Sequence, residues 1–574
     1  MRNLEVARLL NRIADLLEIK GELVFKIRAY REAARQLETL GTPIEDLWRQ
    51  GKLRQLPGFG QAMEAKIAEY LATGRLDYLD RLADQIPSSL ADLMGIPGLG
   101  PKTIAKLHQS LGITDLDQLE RAALEGRLRS LPALGERSES KILAGIRQMR
   151  SHQGRTPLPT ALALARQYMD WLHQRLGDLE LVCEAGSLRR RQATIGDIDI
   201  LAAHGHPEAL MHSFCTAPTV TDVLQRGPAK SRVRDNSGLE LDLRAVPVET
   251  WGAALQYFTG SHSHNVRLRT MAVHKGLSIS EYGIFAADAS RLAAATEEQI
   301  YATMGMDWIP PEIRENSGEI EAALEHRLPH LVELRSVKGD LHVHTDWSDG
   351  RASLQAMAEA ARSRGYSYLC ITDHSPSLAV ARGLDADRLH RQAEAIRDLN
   401  SRLGGPFKVL AGAEVDIRRD GSLDLPDDVL AGLDFVIASV HSHLSQPRAE
   451  ATERLIRAMR NPHVDLIGHP TGRKLGGRDG LDLDLEQVLK EAAATGTGLE
   501  INSQPDRLDL DDVAARRAVQ LGVRLAVNTD AHGQSQLDHM SLGIEFARRA
   551  WLEAGDILNC GAVTQLAKPT GAHI

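Results

Sequence analysis

Cysteine is scarce. The four thiols in 574 residues (Cys183, Cys215, Cys370 and Cys560) are scattered and form no C-x-x-C pair, which argues against a disulfide scaffold or a thiolate zinc site and suits a reducing compartment. No apolar run approaches the ~20 residues of a membrane helix. The opening MRNLEVARLL also lacks the apolar core of a secretion signal. A cytoplasmic chain with no membrane partner is expected. The overall charge of −9 is not that of a basic nucleic-acid binder, but it is unevenly divided: residues 1 to 300 sum to +2 and residues 301 to 574 to −11. The front half therefore keeps the capacity to meet phosphates through local basic patches.

At this length the chain exceeds one core, and about three or four domains are expected. The first forty residues place Leu9, Ile13, Leu16 and Leu17 at helical spacing, stop at Gly21 and resume with Val24, Ile27 and Tyr30, which predicts a small helical domain. An internal repeat follows: LPGFGQAMEAKI (56–67), IPGLGPKTIAKL (96–107) and LPALGERSESKI (131–142). Each copy is an apolar turn entering a helix, the pattern of a helix-hairpin-helix. The amides of such a turn can hold a phosphate without reading the base. Gly58, Gly60, Gly98, Gly100 and Gly135, with Lys106, are the candidate DNA-binding residues; Ala133 replaces the first glycine of the third copy, which predicts a distorted turn there. The polar, proline-containing SHQGRTPLPT (151–160) reads as a linker.

Next comes GSLRRRQATIGDIDIL (186–201), after a run that can form a strand. Asp197 and Asp199 lie two apart, so on a strand they point to one side. Like charges held that close are unfavourable without a cation, and a hard divalent ion with oxygen ligands is the usual answer. The alternating GLELDLRAV (238–246) places Glu240, Asp242 and Arg244 on one face. Asp242 is central in that strand and can complete the site; Glu240 is its rival.

From about Glu333 histidines gather. Short apolar runs recur, each ending in a potential ligand: DLHVHT, YLCITDH, KVLAGAEVD, FVIASVHSH, DLIGHP, GLEIN and RLAVNTDAH. Seven strands alternating with helices predict a (β/α)7 barrel, whose site lies at the strands' C-terminal ends. Imidazoles with a few carboxylates there suit Zn²⁺, Mn²⁺ or Fe²⁺.

GS-x-RR, D-x-D, LDLR, and YFTGS followed by Asn265 resemble the palm and thumb of family X DNA polymerases, and the helix-hairpin-helix copies stand where that family has its own. The resemblance covers roughly residues 1 to 316. It implies that Asp197, Asp199 and Asp242 hold two Mg²⁺ or Mn²⁺ ions. It also implies that Gly186, Ser187 and Arg190 bind the triphosphate, and that Tyr257, Phe258, Gly260 and Asn265 line the nucleotide pocket. Lys66 matches the family's lyase lysine, a Schiff-base nucleophile. Lys106 and Lys141 hold the same place in the other repeats, which leaves a phosphate-binding or structural role open. The chain departs from the family at Arg191, where eukaryotic members carry glycine, and at Ala193, where bacterial members often carry glutamate. The rear half resembles the PHP (polymerase and histidinol phosphatase) domain. That resemblance implies three ions held by His342, His344, Asp349, His374, Glu414, His441, His469, Asp530 and His532. Asp346, Asp373 and His443 fall off the pattern, and Arg507 is a candidate phosphate grip or a surface ion-pair partner.

The expected fold is multidomain: α-helical N-terminal helix-hairpin-helix domains, an α+β nucleotidyltransferase palm and thumb, and a C-terminal (β/α)7 barrel of PHP type. The expected boundaries are 1–82, 83–155, 156–246 (palm), 247–316 (thumb), 317–335 (linker) and 336–574 (barrel). The expected activity is short-gap filling on gapped or nicked double-stranded DNA from deoxynucleoside triphosphates, by a monomer. The barrel would add a 3′-5′ exonuclease, abasic-site endonuclease or 3′-phosphatase. The rivals are a template-independent nucleotidyltransferase and a DNA-binding scaffold carrying a small-molecule phosphatase. His204, His206, His262 and His264 have no carboxylate at ligand spacing and read as surface or nucleotide-proximal residues.

Overall fold

A computed structural model describes residues 3–38, 44–56, 59–96, 99–131, 134–135, 138–143, 145–146, 155–478 and 480–566. The chain forms two compact units, Met1–Gly154 and Arg155–Ile574.

The first unit is helical. Helix α1 (Asn3–Lys20) buries Val6, Leu10, Ile13, Leu16 and Leu17, one apolar stripe at three- and four-residue spacing. It packs against α2 (Val24–Glu38). Helices α3 (Gln61–Thr73) and α4 (Pro101–Leu111) begin directly after Gly60 and Gly100, and neither glycine offers a side-chain cap. The first-turn amides there have no side-chain acceptor of their own at the cap.

The three repeat copies close in the same way. Phe59, Leu99 and Leu134 donate to the carbonyls of Leu56, Ile96 and Leu131 at 3.0–3.1 Å. Met63, Thr103 and Ser138 donate to Gly60, Gly100 and Gly135 at 2.9–3.0 Å. The distortion expected of the third turn concerns Ala133, which these bonds do not involve. Gly58, Gly98 and Ala133 lie outside the described residues.

The second unit opens with α5 (Leu158–Arg175), which lays Leu158, Leu162, Ala165, Tyr168 and Leu172 on a five-stranded sheet. The strands are β1 (Leu181–Glu184), β2 (Ile198–Ala203), β3 (Val220–Arg226), β4 (Lys230–Asp235) and β5 (Glu240–Ala245), in the order β1-β2-β5-β4-β3. Only β2 and β5 run parallel. Two helices, α6 (Trp251–Thr259) and α7 (His262–His274), lead to a small antiparallel sheet of β6 (Ser278–Ser280), β7 (Gly283–Phe285) and β8 (Arg291–Ala293).

A buried ion cluster ties this region to the five-stranded sheet. Glu297 accepts from Arg314 at 2.6 and 3.1 Å and from Arg189 at 2.8 and 2.8 Å, and Arg314 is wholly buried. Burial opposes the charged carboxyl of Glu297, but the two guanidiniums outweigh it and hold the group below the ordinary carboxylate range. Glu297→Ala is expected to cost about 3–5 kcal/mol, because it strands a buried cation, and urea unfolding followed by circular dichroism checks it. The contribution is present above the unfolded carboxyl pKa of about 4.3 and is lost as pH falls through the folded one.

The 317–335 stretch contains a helix, Glu319–Leu324, and Arg548 donates to the Val332 carbonyl at 3.2 Å. Beyond it, seven parallel strands follow in sequential order: β9 (Gly339–Val343), β10 (Tyr368–Ile371), β11 (Lys408–Asp416), β12 (Phe435–Ser439), β13 (Leu466–Ile467), β14 (Gly498–Asn502) and β15 (Leu525–Asn528). A parallel bridge between Val343 and Ala531, with the His344 amide 2.9 Å from the Ala531 carbonyl, brings the last strand's end back to the first. All seven expected runs supply a strand. Of the 34 residues in β9 to β15, Lys408 alone is not buried, as expected of parallel strands covered on both faces. Helices α8 (Asp512–Gln520) and α9 (Met540–Arg549) flank the closing strand. No described helix is long and apolar enough to cross a membrane.

Candidate active sites

The first site lies where β2 and β5 run side by side. Their register pairs Asp199 with Asp242, so the two carboxylates share one face of the sheet. Asp197, two residues before Asp199, is exposed at the strand's entry. Burial, with repulsion from Asp197 and Asp242, pushes the Asp199 carboxyl up to about 6. That mutual repulsion is the chemistry a divalent cation relieves, so the set fits Mg²⁺ or Mn²⁺. Asp242, however, is tied to its other neighbour. Arg232 on β4 donates to it at 2.5 and 2.8 Å, and Lys230 lies at 3.0 Å. Burial opposes the charge, but these cations keep the Asp242 carboxyl below its usual range. Glu240, the rival, is paired with Arg234 at 2.8 Å.

The Gly-Ser turn is a short helical turn, Gly186–Arg189. Gly186 is left-handed at φ +58°, and a Cβ there would stand 2.3 Å from Asp199 Oδ2. Only glycine lets the turn approach this carboxylate. Gly186→Ala is therefore expected to lower any nucleotidyl transfer about 10²-fold by displacing Asp199 while sparing barrel chemistry, as measured by single-nucleotide insertion. Ser187 is half-buried beside it. Arg190 donates to the Thr259 carbonyl at 2.6 Å and to Glu315 at 3.1 Å. Asn265 donates to the Tyr257 carbonyl at 2.7 Å and accepts from Gln256 at 2.8 Å, and Arg244 stacks on Phe258 at 4.4 Å. Gly260 is left-handed, with Arg190 against it. The structure thus brings Arg190, Tyr257, Phe258, Gly260 and Asn265 into one neighbourhood.

Arg191 is also left-handed, at φ +57°, a conformation that costs a non-glycine residue roughly 1–2 kcal/mol. Its guanidinium meets Glu184 at 3.0 Å and Glu545 at 3.1 Å.

The second site gathers all nine barrel candidates. Among the described residues, three groups have ligand atoms within 4.8 Å of one another: His344, Asp349, His374 and His532; His342, His344 and Asp530; and His374, Glu414 and His441. Glu414 is the hub, with His374 at 2.8 Å, His469 at 3.0 Å, His441 at 3.3 Å and His342 at 3.4 Å. His342 Nε2, both ring nitrogens of His344 and Glu414 Oε2 are buried, and although some face one another, His374 or Asp530 at 2.8–3.4 Å, none makes a well-aligned hydrogen bond. Such groups are costly to leave unpaired, and their donor chemistry fits metal ions.

Burial, with the charges of His532 and His374, lowers His344 to about 3, and burial together with Arg507 lowers His469 to about 4. Both rings are neutral at pH 7, the state that can ligate. Burial likewise disfavours a charged His374, but Glu414 and Asp349 outweigh it and push the ring up to about 10. Arg507 lines the adjoining cavity of about 580 Å³ with Lys474 and His539. His443 is exposed, whereas Asp373 is buried and accepts from Thr345, Ser348 and Gln392.

Sequence reasoning missed the groups behind these rings. Glu500 accepts from His342 Nδ1 at 2.8 Å, and Asp416 faces His441 Nδ1 at 3.2 Å. Both orient an imidazole so that Nε2 faces inward. The signal was present in GLEIN and KVLAGAEVD, which place Glu500 within and Asp416 at the end of buried strands. Of the four histidines read as surface or nucleotide-proximal residues, His264 and His204 are instead buried against distant carboxylates. His264 is fully buried between Glu319 (2.6 Å) and Tyr301 (3.0 Å), and His204 meets Asp178 at 2.9 Å. These contacts span 55 and 26 residues, beyond any ligand spacing. In the helical unit Lys66 lies 3.2 Å from the Ala62 carbonyl and 4.7 Å from the Tyr78 ring centre.

Comparison with known proteins agrees with this layout. Residues 1–76 match a helix-hairpin-helix domain, 90–148 a SAM-like helix-hairpin-helix tandem, 254–315 the DNA polymerase beta thumb and 340–504 the PHP domain. The DNA polymerase/3′-5′ exonuclease PolX of Bacillus subtilis (strain 168) is 39% identical over 562 residues, 97% of each chain. DNA polymerase lambda of Rattus norvegicus is 25% identical over 54% of this chain and 56% of its own. A probable phosphatase of Thermoanaerobacter sp. (strain X514) is 31% identical over 38% of this chain and 89% of its own. With helix-hairpin-helix repeats, a polymerase beta thumb and a PHP domain in one chain, and a full-length relative at this identity, the protein belongs to the PolX family, the family X DNA polymerases that carry a C-terminal PHP domain.

Proposed function

We propose that the chain is a DNA-directed DNA polymerase that fills short gaps during repair, and that its barrel removes 3′-terminal nucleotides as a metal-dependent 3′-5′ exonuclease. The observation that carries the first half is the register of Asp199 against Asp242 beside the Gly186–Arg190 turn. In this reading the palm spans 156–246, the thumb 247–316 and the phosphoesterase 336–574, behind helical domains at 1–82 and 83–155. The protein acts in the cytoplasm as a monomer on gapped or nicked DNA.

Asp197, Asp199 and Asp242 would hold Mg²⁺ or Mn²⁺, which supplies activation of a primer 3′-hydroxyl and neutralisation of the departing pyrophosphate. Ser187 and Arg190 orient the triphosphate, and Tyr257, Phe258, Gly260 and Asn265 shape the space for its sugar and base. The bond made joins the 3′-oxygen to the α-phosphorus, and the bond broken frees pyrophosphate. Gly60, Gly100 and Gly135 present helix-entry amides to backbone phosphates, which position the duplex without reading it. In the barrel the nine ligands would hold Zn²⁺, Mn²⁺ or Fe²⁺, which supplies a metal-activated water. Arg507 and Lys474 meet the phosphate on the open side.

A labelled one-nucleotide-gap substrate tests this, with the complementary template present or absent. Template-dependent insertion supports the reading. Equal extension without template would assign a terminal-type transferase, and no insertion beside robust phosphatase activity would assign a scaffold.

A further inference from the structure

Helix α9 belongs to the barrel, yet two of its residues reach the nucleotide-site turn. Arg549 is almost wholly buried. Its Nη1 donates to the Arg190 carbonyl, to the Glu312 carbonyl at 3.2 Å and to Glu315 at 3.2 Å, while Nε and Nη2 donate to Asp512 on α8 at 3.1 and 2.7 Å. Glu315 also accepts from Arg190 at 3.1 Å and from Gln192 at 2.6 Å. One helical turn earlier, and so on the same face of α9, Glu545 meets Arg191 at 3.1 Å.

The turn's own backbone bonds and the Arg189–Glu297 pair hold it from the palm side, and α9 holds it from the other. Arg191 is held left-handed, a state an ordinary residue leaves readily, and its guanidinium is half-buried between one carboxylate of the turn's own strand and one of the barrel. The carbonyl of Arg190 is fixed by a barrel arginine rather than by a neighbour in the palm. Ser187 and Arg190 project from this same short segment.

We propose that α9 is a positioning element of the polymerase site: Glu545 and Arg549 hold the 186–192 turn in the shape that presents Ser187 and Arg190 to an incoming triphosphate. The proposal rests on the polymerase reading above. It makes the barrel a structural part of nucleotide insertion, independent of the barrel's own chemistry, because neither residue is among the nine barrel ligands.

The test uses the full chain carrying Glu545→Gln, Arg549→Lys or Arg549→Met, with steady-state insertion on the one-nucleotide gap. The KM for the deoxynucleoside triphosphate is expected to rise about tenfold with kcat within about twofold. Arg549→Lys should fall between wild type and Arg549→Met, and 3′-5′ digestion of a single-stranded primer should keep its wild-type rate. Wild-type KM values in all three variants would overturn the proposal. So would a joint fall in kcat, digestion and melting temperature, which would mark a general structural role. A wild-type chain that inserts nothing would instead refute the polymerase reading itself, a result distinct from an active wild type matched by its variants.

Discussion

Asp242→Ala is expected to abolish template-dependent insertion, by at least about 10³-fold in kcat, while 3′-5′ digestion proceeds at the wild-type rate. The residue lies beside Asp199 in the parallel register and is the most buried of the three aspartates. Alanine removes a ligand and also frees Arg232 and Lys230, which both pair with Asp242. Their positive charge, met in part by Glu240 at 3.4 Å from Arg232, then faces the proposed cation position. Two effects thus act in the same direction, loss of an oxygen donor and gain of repulsion. Asp242→Asn separates them, because the amide keeps a donor oxygen without the charge. Insertion and digestion are measured on the same gel series, with Mg²⁺ or Mn²⁺ supplied. Loss of both activities would show that the two sites are not independent.

His344→Ala is expected to do the reverse: digestion falls by at least about 10³-fold and insertion is unchanged. His344 belongs to two of the three ligand groups, and its ring lies 4.2 Å from that of His532 and 4.4 Å from that of His374. Its loss therefore disturbs two ion positions. A chelator reaches the same end point from the other side. Overnight treatment with a strong chelator followed by gel filtration should suppress digestion, and adding back Zn²⁺, Mn²⁺ or Fe²⁺ singly identifies which ion restores it. Binding requires neutral rings and ionised carboxylates, so apparent affinity falls with acidification. The burial that keeps His344 and His469 neutral confines that loss, for these two rings, to well below neutral pH.

Much of this was legible because the chemistry is strand-bound. Candidate ligands at strand ends follow short apolar runs, so DLHVHT and RLAVNTDAH pointed to the histidine cluster that the barrel gathers. The spacing of Asp197 and Asp199 pointed to the carboxylates that the β2–β5 register brings beside Asp242. What spacing could not carry were contacts between remote segments. Glu500 reaches His342 across 158 residues, and Glu297 reaches Arg189 across 108. Nor could it supply backbone conformation. Arg191 departs from a family glycine, and its left-handed φ explains why glycine suits that position and what holds an arginine there instead.

The barrel's closing bridge bears on how the protein is made. Its first proposed ligand is His342, its last is His532, and Val343 meets Ala531 only when the final strand returns. During synthesis the chain is delivered from its N-terminus, so every proposed polymerase residue has emerged by Asn265, long before the barrel can shut. A polypeptide released early would hold all three palm aspartates but neither a finished ion cluster nor the α9 brace. On the proposed reading, premature termination therefore removes the barrel's digestion outright and leaves nucleotide addition without its brace, so that ribosome drop-off costs the second activity more than the first.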